Sequence, residues 1–242
     1  MITDHDTKDG GPEGPELRIE FPLTLHSLGL DLDDAEREAH LREVAAEVWC
    51  GGTQAQRDAV RGWYAEVAEA AAADGAFYAG LGIFATPDDR MSTVTLVARL
   101  DTTDRTDART AADALHEVLS LTPAHDVHPV ELECGPAVVS FSAVEYRAGA
   151  DEHGARPDPV EIARAEVYVP LPELEGLLVL GLATPSLLDL PDYVRMLSHV
   201  AETVEVFHPE PSNAADNIPT QIRIPSPAAA NTTPTRIRRA FG

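Results

Sequence analysis

The hydrophobic period of this chain changes from about 3.6 to 2 at Asp74–Gly75, and most strand-like runs beyond it are followed at once by another. Phe77–Ala85 leads through the turn Pro87–Arg90 into Ser92–Leu100. Val127–Cys134 leads through Gly135–Pro136 into Ala137–Arg147, and Val160–Leu171 leads through Pro172–Gly176 into Leu177–Ala183. Such links suit antiparallel neighbours, because parallel strands need a crossover of about a dozen residues or more. The expected fold class is therefore α+β, with a mainly antiparallel, meandering sheet of about six to seven strands covered by helices. Phe77–Ala85 and Leu177–Ala183 are apolar on both sides, so they are expected to be central and covered on both faces.

Helices precede and interrupt this pattern. Asp33–Cys50 reads as a helix capped by Asp31 or Asp33, with Leu41, Val44, Ala45 and Val48 on one face and Gly51–Gly52 at its end. Thr53 caps a second helix to Ala73, with Val60, Trp63, Tyr64, Val67 and Ala71 expected inward. The two form an N-terminal helical hairpin. Thr106–Ser120 is a third helix, with Ala111, Leu115, Val118 and Leu119 inward. Leu187–Phe207 is a long closing helix, with Leu190, Tyr193, Val194, Leu197, Val200 and Val204 inward. Ahead of all of them, Glu16–Leu25 alternates as a strand with Leu17, Ile19, Phe21 and Leu23 on one face, and Pro22 marks an edge or bulge.

The ends differ in composition. Residues 1–15 form an acidic, Gly- and Pro-containing lead-in expected to be disordered, residues 16–207 the single α+β domain, and residues 208–242 a disordered Pro/Thr/Arg tail. The loop Gly149–Pro159 is polar and expected to move. Within the tail, Pro219-Thr-Gln-Ile-Arg-Ile224 is echoed fifteen residues later by Pro234-Thr-Arg-Ile-Arg-Arg239. Each copy is short and β-prone, so it can add a strand to a sheet edge, and two tethered copies raise avidity. Ile222, Arg223, Ile237, Arg238 and Arg239 are the candidate partner-binding residues. The Arg residues also give the tail another option, lying back on the acidic body.

Charge narrows the partners. The formal net charge is −23. It repels phosphate backbones and anionic lipid, which excludes nucleic acid and membrane as default partners and favours basic ones. The tail opposes this: Glu210 and Asp216 face Arg223, Arg236, Arg238 and Arg239, about +2 by formal count. Lys8 is the only lysine and alanine is abundant, which is the usage of a GC-rich bacterial genome. No apolar run reaches the roughly 18 residues of a membrane span, and Met1–Gly14 lacks the apolar stretch of an export signal, so the expected compartment is the cytoplasm. Cys50 and Cys134 lie in no CxxC pair and read as buried free thiols.

Chemistry is thinly signalled. His125, Asp126, His128, Glu131, Glu133 and Cys134 supply nitrogen, oxygen and sulfur donors, but their spacing matches no zinc pattern. On a strand, Cys134 and the two glutamates face opposite ways. Gly80-x-Gly82 sits inside a strand rather than between a strand and a helix, so it is expected to serve packing rather than phosphate binding. No Gly-x-Ser-x-Gly elbow is present, and Ser140 and Ser142 are expected to face solvent or the sheet rim. His116 and His199 read as surface or capping residues on their helices. No catalytic residue, metal or cofactor is assigned.

Residues 75–207 resemble a known arrangement. Gly135-Pro-Ala-Val138, the strand to Tyr146, Ala165-Glu-Val-Tyr-Val-Pro170, Leu177-Leu-Val-Leu-Gly-Leu-Ala-Thr-Pro185 and the closing helix are similar to PsbP-like and LpqN-like α/β/α sandwiches of high-GC Gram-positive bacteria. The resemblance implies an antiparallel sheet between helices and a binding or accessory role, usually without catalysis. The chain departs from that pattern in its inserted helical hairpin and in lacking a lipoprotein signal.

The leading expectation is a non-enzymatic accessory or protein-interaction protein with a flexible C-terminal docking arm. One alternative is a small-molecule sensor or enzyme, with a pocket between the sheet and the helical hairpin lined by Trp63, Tyr64, Phe77 and Tyr78. Another is a structural protein that self-assembles into a homo-oligomer through its tail.

Overall fold

The computed structural model describes residues 14–104, 107–147 and 158–208, together with the backbone of Ile224–Pro225. Two short strands open the fold, β1 (Glu16–Arg18) and β2 (His26–Ser27). The helices α1 (Asp34–Val48) and α2 (Gln54–Ala73) follow. Both begin with capping boxes, on Asp33, one of the two caps the sequence offered for α1, and on Thr53 for α2. Asp33 accepts from the Ala35 and Glu36 amides at 2.9 Å, and Glu36 reaches back to the Asp33 amide. Thr53 and Gln56 repeat the device, with the Thr53 amide 2.8 Å from Gln56 Oε1.

The remaining elements are β3 (Ala76–Ala85), β4 (Met91–Thr102), α3 (Ala108–Ser120), β5 (Asp126–Leu132), β6 (Gly135–Tyr146), β7 (Val160–Leu171), β8 (Gly176–Thr184), α4 (Leu190–Glu202), β9 (Glu205–Phe207) and β10 (Ile224–Pro225). Seven strands form one antiparallel sheet in the order β2-β3-β4-β8-β7-β6-β5. The fold is α+β, as the hairpin pattern requires. The sheet is two meanders rather than one. After β4 the chain crosses through α3 to the far edge, then β5, β6, β7 and β8 return stepwise until β8 meets β4, with Leu96 opposite Leu182 and Ala98 opposite Leu180. β8 is thus central. β3 is second from the edge, because β2 pairs only at His26 and Ser27, yet β3 is covered on both faces.

One face of the sheet packs on α4 and on residues 17–25. Leu96, Leu180, Leu182 and Val167 there meet Tyr193, Leu197, Val200 and Ala201. Tyr78 stacks on Phe21 with ring centroids 3.6 Å apart. Gly80 and Gly82 serve this face: a Cβ at Gly80 would lie 2.5 Å from the Tyr78 hydroxyl and one at Gly82 2.6 Å from the Phe84 ring, so the strand's own aromatics fill the space over them. The opposite face carries α1 and α2 over Ala79 and Leu81. It also carries α3 at the far end, where Arg109 pairs with Glu131 of β5.

Several expectations are corrected. Glu16–Leu25 is a strand only over β1, because Pro22 cannot donate to a ladder and the Leu25 amide instead closes a turn on the Pro22 carbonyl at 3.0 Å. That turn turns Leu23 outward, 88% exposed. Leu187–Phe207 is not one helix: a 3-10 turn precedes α4, α4 ends at Glu202 with Thr203 as its C-cap, and Glu205, β-branched Val206 and Phe207 form β9. Trp63 is 51% exposed, and α2 buries Tyr64, Ala68 and Ala71 instead. Val118 is also exposed, and α3 buries Ala111 and Ala112. Cys50 is exposed beyond the end of α1, Cys134 is half-buried in a turn, and both are free. The lead-in up to residue 13, most of the Gly149–Pro159 loop, and residues 209–223 and 226–242 lie outside the described residues. Among the described residues, no helix is long and apolar enough to cross a membrane.

Candidate functional site

The sequence points to a sheet edge that could take the tail, and the structure holds such an edge. β1 is the middle strand of a second, three-stranded sheet, β10-β1-β9. On one side Glu16, Leu17 and Arg18 face Phe207, Val206 and Glu205. On the other, Glu16 faces Pro225 and Leu17 faces Ile224. Ile224 is the last residue of the first tail echo, so the 208–242 segment expected to be disordered contributes a strand here. The physical reason is local: a β-branched residue meets backbone groups of β1 that β9 leaves unpaired.

Leu17 anchors β1 in the core at 0% exposure, with Ile19 and Val204 buried beside it. The Arg18 guanidinium lies 3.6 Å from the Phe207 ring centroid, a cation–π contact that locks β1 to β9. Thr203 Oγ1 accepts from the Glu20 amide at 3.0 Å and donates to the Val200 carbonyl at 2.7 Å, joining the same pair of segments at the end of α4. His208 Nε2 lies 2.7 Å from Glu173 Oε2, which ties the point where the tail departs to the β7–β8 turn. Since β9 and β10 both run antiparallel to β1, they are parallel to each other. Residues 208–223 join them, which exceeds the dozen or so residues a parallel crossover needs.

The large sheet guards its own edges. β5 carries Pro129, which has no N–H to offer, and charged or polar Asp126, His128 and Glu131, with Asp126 and His128 paired at 3.0 Å. At the other edge, β2 is two residues long.

The remaining sequence candidates disperse. Ile222, Arg223, Ile237, Arg238 and Arg239 lie outside the described residues. The cluster at 125–134 divides: His125 contacts Ser140, His128 pairs with Asp126, and Glu131 pairs with Arg109. Among the described residues no three His, Cys, Asp or Glu side chains gather as a metal site. Ser140 does not face solvent. It is 1% exposed, and its Oγ lies 3.1 Å from His125 Nδ1, since a buried hydroxyl needs a partner. The four aromatics proposed to line one pocket do not converge: the Trp63 and Tyr64 rings are neighbours, 5.5 Å apart, while Phe77 and Tyr78 belong to the other core cluster. Tyr64 is buried against Ala68 and Leu81 under the hairpin, Tyr78 is on the other face, and Trp63 points out.

A polar strip was missed. Arg99 and Asp101 of β4 share a face with Arg164, Glu166 and Tyr168 of β7, with β8 between them. Arg99 Nε lies 3.1 Å from Asp101 Oδ2, and the Tyr168 hydroxyl donates to Glu166 at 2.9 Å. Burial, together with the Glu166 charge, pushes the Tyr168 phenol well above its ordinary range. Between them is Gly181, opposite Val97 and Glu166. A Cβ there would meet only the Val97 carbonyl, at 4.0 Å, so the space above it is open. The helices α1 and α2 lie to one side of this strip and α3 to the other. The signal was present as period-two polarity, Arg164-x-Glu166-x-Tyr168, within a run read as apolar strand.

No family model, curated protein or solved structure matches the chain.

Proposed function

We propose that the protein is a non-enzymatic interaction protein whose C-terminal segment is a docking arm, parked on its own β1 edge and released to protein partners. The single observation that supports this reading is the pairing of Ile224–Pro225 with Glu16–Leu17. That pairing spans two residues, so it contributes little more than one or two backbone hydrogen bonds, about 1 kcal/mol each net. An arm held so weakly opens readily. The chain's charge of −23 favours a basic partner surface, while the mildly basic tail can bridge to it. The resemblance to PsbP-like and LpqN-like sandwiches, which implies a binding or accessory role, points the same way. The free thiols of Cys50 and Cys134 suit a reducing compartment, the cytoplasm of a bacterium on this reading. Affinity capture from cell extract, with the full chain and with a chain whose residues 218–240 are scrambled, tests the arm. Recovery of the same partners at the same yield by both chains would sink it.

A second reading, small-molecule binding, is favoured by the open space over Gly181 and its surround of Arg99, Arg164, Glu166 and Tyr168. Ligand-observed NMR with a library of small polar compounds tests this on the full chain and on Gly181→Val. Compounds that bind both chains equally, or no binding at all, would remove the reading.

A further inference from the structure

Two large apolar side chains that helical spacing turns inward are exposed instead, Trp63 on α2 at 51% and Val118 on α3 at 61%. Their directions are fixed by neighbours on their own helices. α1 stands at the β2 edge, where His40 Nε2 lies 2.7 Å from the Ser27 carbonyl, and α2 packs beside it on β3. Arg61 of α2 reaches Glu38 of α1. Trp63, about 200° further round the helix, therefore points away from α1 and towards β4. On α3, Arg109 reaches Glu131 of the edge strand β5. Val118, about half a turn round from Arg109, points the other way, towards β7 and β8.

The two also stand close to one level. α2 ends just before β3 and runs back along it, so a rise of about 15 Å from Ala73 brings Trp63 level with Leu81. That row continues through Thr95 and Ala183 to Arg164. From Arg109 a rise of about 14 Å brings Val118 level with Val127, whose row continues through Ser140 and Glu166 to Gly181. Trp63 and Val118 thus face each other across β8, where Gly181 and Ala183 leave the floor without long side chains. Arg164, Glu166 and Tyr168 rise from β7 on one side of that floor, and Arg99 from β4 on the other.

We infer that this cleft binds a small planar nitrogen heterocycle, its ring packed against Trp63 over Gly181, its N–H groups donating to Glu166 and its acceptors taking from Arg99 or Arg164. The inference rests on the reading of this strip as a small-molecule site and adds the ligand class and the two walls. A floor without side chains admits a flat ring, and Trp63 offers that ring a face. Arg99 and Arg164 balance Asp101 and Glu166 in formal charge, which suits a neutral ligand with donors and acceptors rather than a bare ion. An amino acid-like charge pair would use the same rim and leave both apolar walls without a role.

The test uses the full chain carrying Trp49→Phe, which leaves Trp63 as its one tryptophan. Nicotinamide and adenine are the heterocyclic probes, and glycine is the charge pair without a ring. The expected result is that the heterocycles bind by ligand-observed NMR and change Trp63 fluorescence saturably, while glycine binds at least roughly tenfold more weakly. Trp63→Ala is expected to weaken the heterocycles roughly three- to tenfold, and Trp63→Phe to restore most of the loss. Glu166→Gln is expected to weaken them roughly tenfold. If glycine binds as well as the heterocycles, if Trp63→Ala leaves their affinity unchanged, or if only compounds of another class bind in a way that Gly181→Val abolishes, the inference falls and the small-molecule reading stands. If neither these probes nor any library compound binds, both fall.

Discussion

The two sheets of this protein hold their strands by different means. In the large sheet, neighbours pair over long stretches, from Ala163 opposite Thr184 to Leu171 opposite Gly176, and most partners are close in sequence. In the small sheet, β1 has three partners on one side and two on the other, all from the C-terminal part of the chain and far from β1 in sequence. The large sheet is held by side chains buried on both faces. The small one depends on Leu17, the Arg18–Phe207 contact and Thr203 for its inner half, and its outer strand pairs over two residues. A strand paired over only two residues loses little backbone pairing when it opens, and local opening is cheapest where few contacts are lost. The contrast separates long pairing buried on both faces from pairing over two residues.

The largest expected effect lies at the centre of the large sheet. Leu180→Ala on β8 removes a fully buried side chain and is expected to cost about 2–5 kcal/mol in urea unfolding. Leu17→Ala is expected at the lower end of that range, about 2 kcal/mol, since β1 can shift to fill the space. Equal losses would erase the contrast and make the small sheet part of one rigid core. Next comes the buried hydroxyl pair of Ser92 and Tyr193, which pins α4 to β4. Ser92→Ala leaves the Tyr193 hydroxyl unpaired and is expected to cost about 1–3 kcal/mol. The double variant with Tyr193→Phe is expected to cost less than the sum of the two, which a double-mutant cycle measures. Thr53→Ala removes the α2 cap, at about 1 kcal/mol.

Alkaline pH probes the junction of the two regions. Burial against Phe21 pushes the Tyr78 phenol from 10.0 up to about 12. The neutral phenol is favoured in the folded chain. Its contribution is therefore complete below pH 10 and is lost as pH rises from 10 towards 12. The midpoint of urea unfolding is expected to fall across that window, and Tyr78→Phe is expected to flatten part of the fall. Burial also raises Tyr64 and Tyr193, so some of the slope remains. The smallest expected effect belongs to the outer strand. Ile224→Ala is expected to change global stability by less than about 0.5 kcal/mol while speeding amide exchange at Leu17. A larger loss of stability would place β10 in the cooperative core.

The sequence by itself determined the local elements: the helix caps at Thr53 and at one of Asp31 or Asp33, the hairpin partners β3–β4, β5–β6 and β7–β8, and the α+β class. Each depends on residues within one or two turns of one another, where periodicity and cap chemistry act directly. The tertiary structure decided what depends on distant neighbours. Both flanks of α2 are apolar, so only the position of α1 and β3 selects Tyr64, Ala68 and Ala71 over Trp63. β4 had several apolar strands to choose from, and β8 took the place because the second meander ends there. Ser140 is buried because His125 is folded onto it. Helix pattern runs on to Phe207, yet β1 offers Glu205–Phe207 a ladder, and they take it. The candidate site follows the same rule. The echo at 219–224 and 234–239 is visible to anyone reading the chain, but the edge it meets is made from residues 16–18 and 205–207. Nothing local to the tail indicates that those residues lie together.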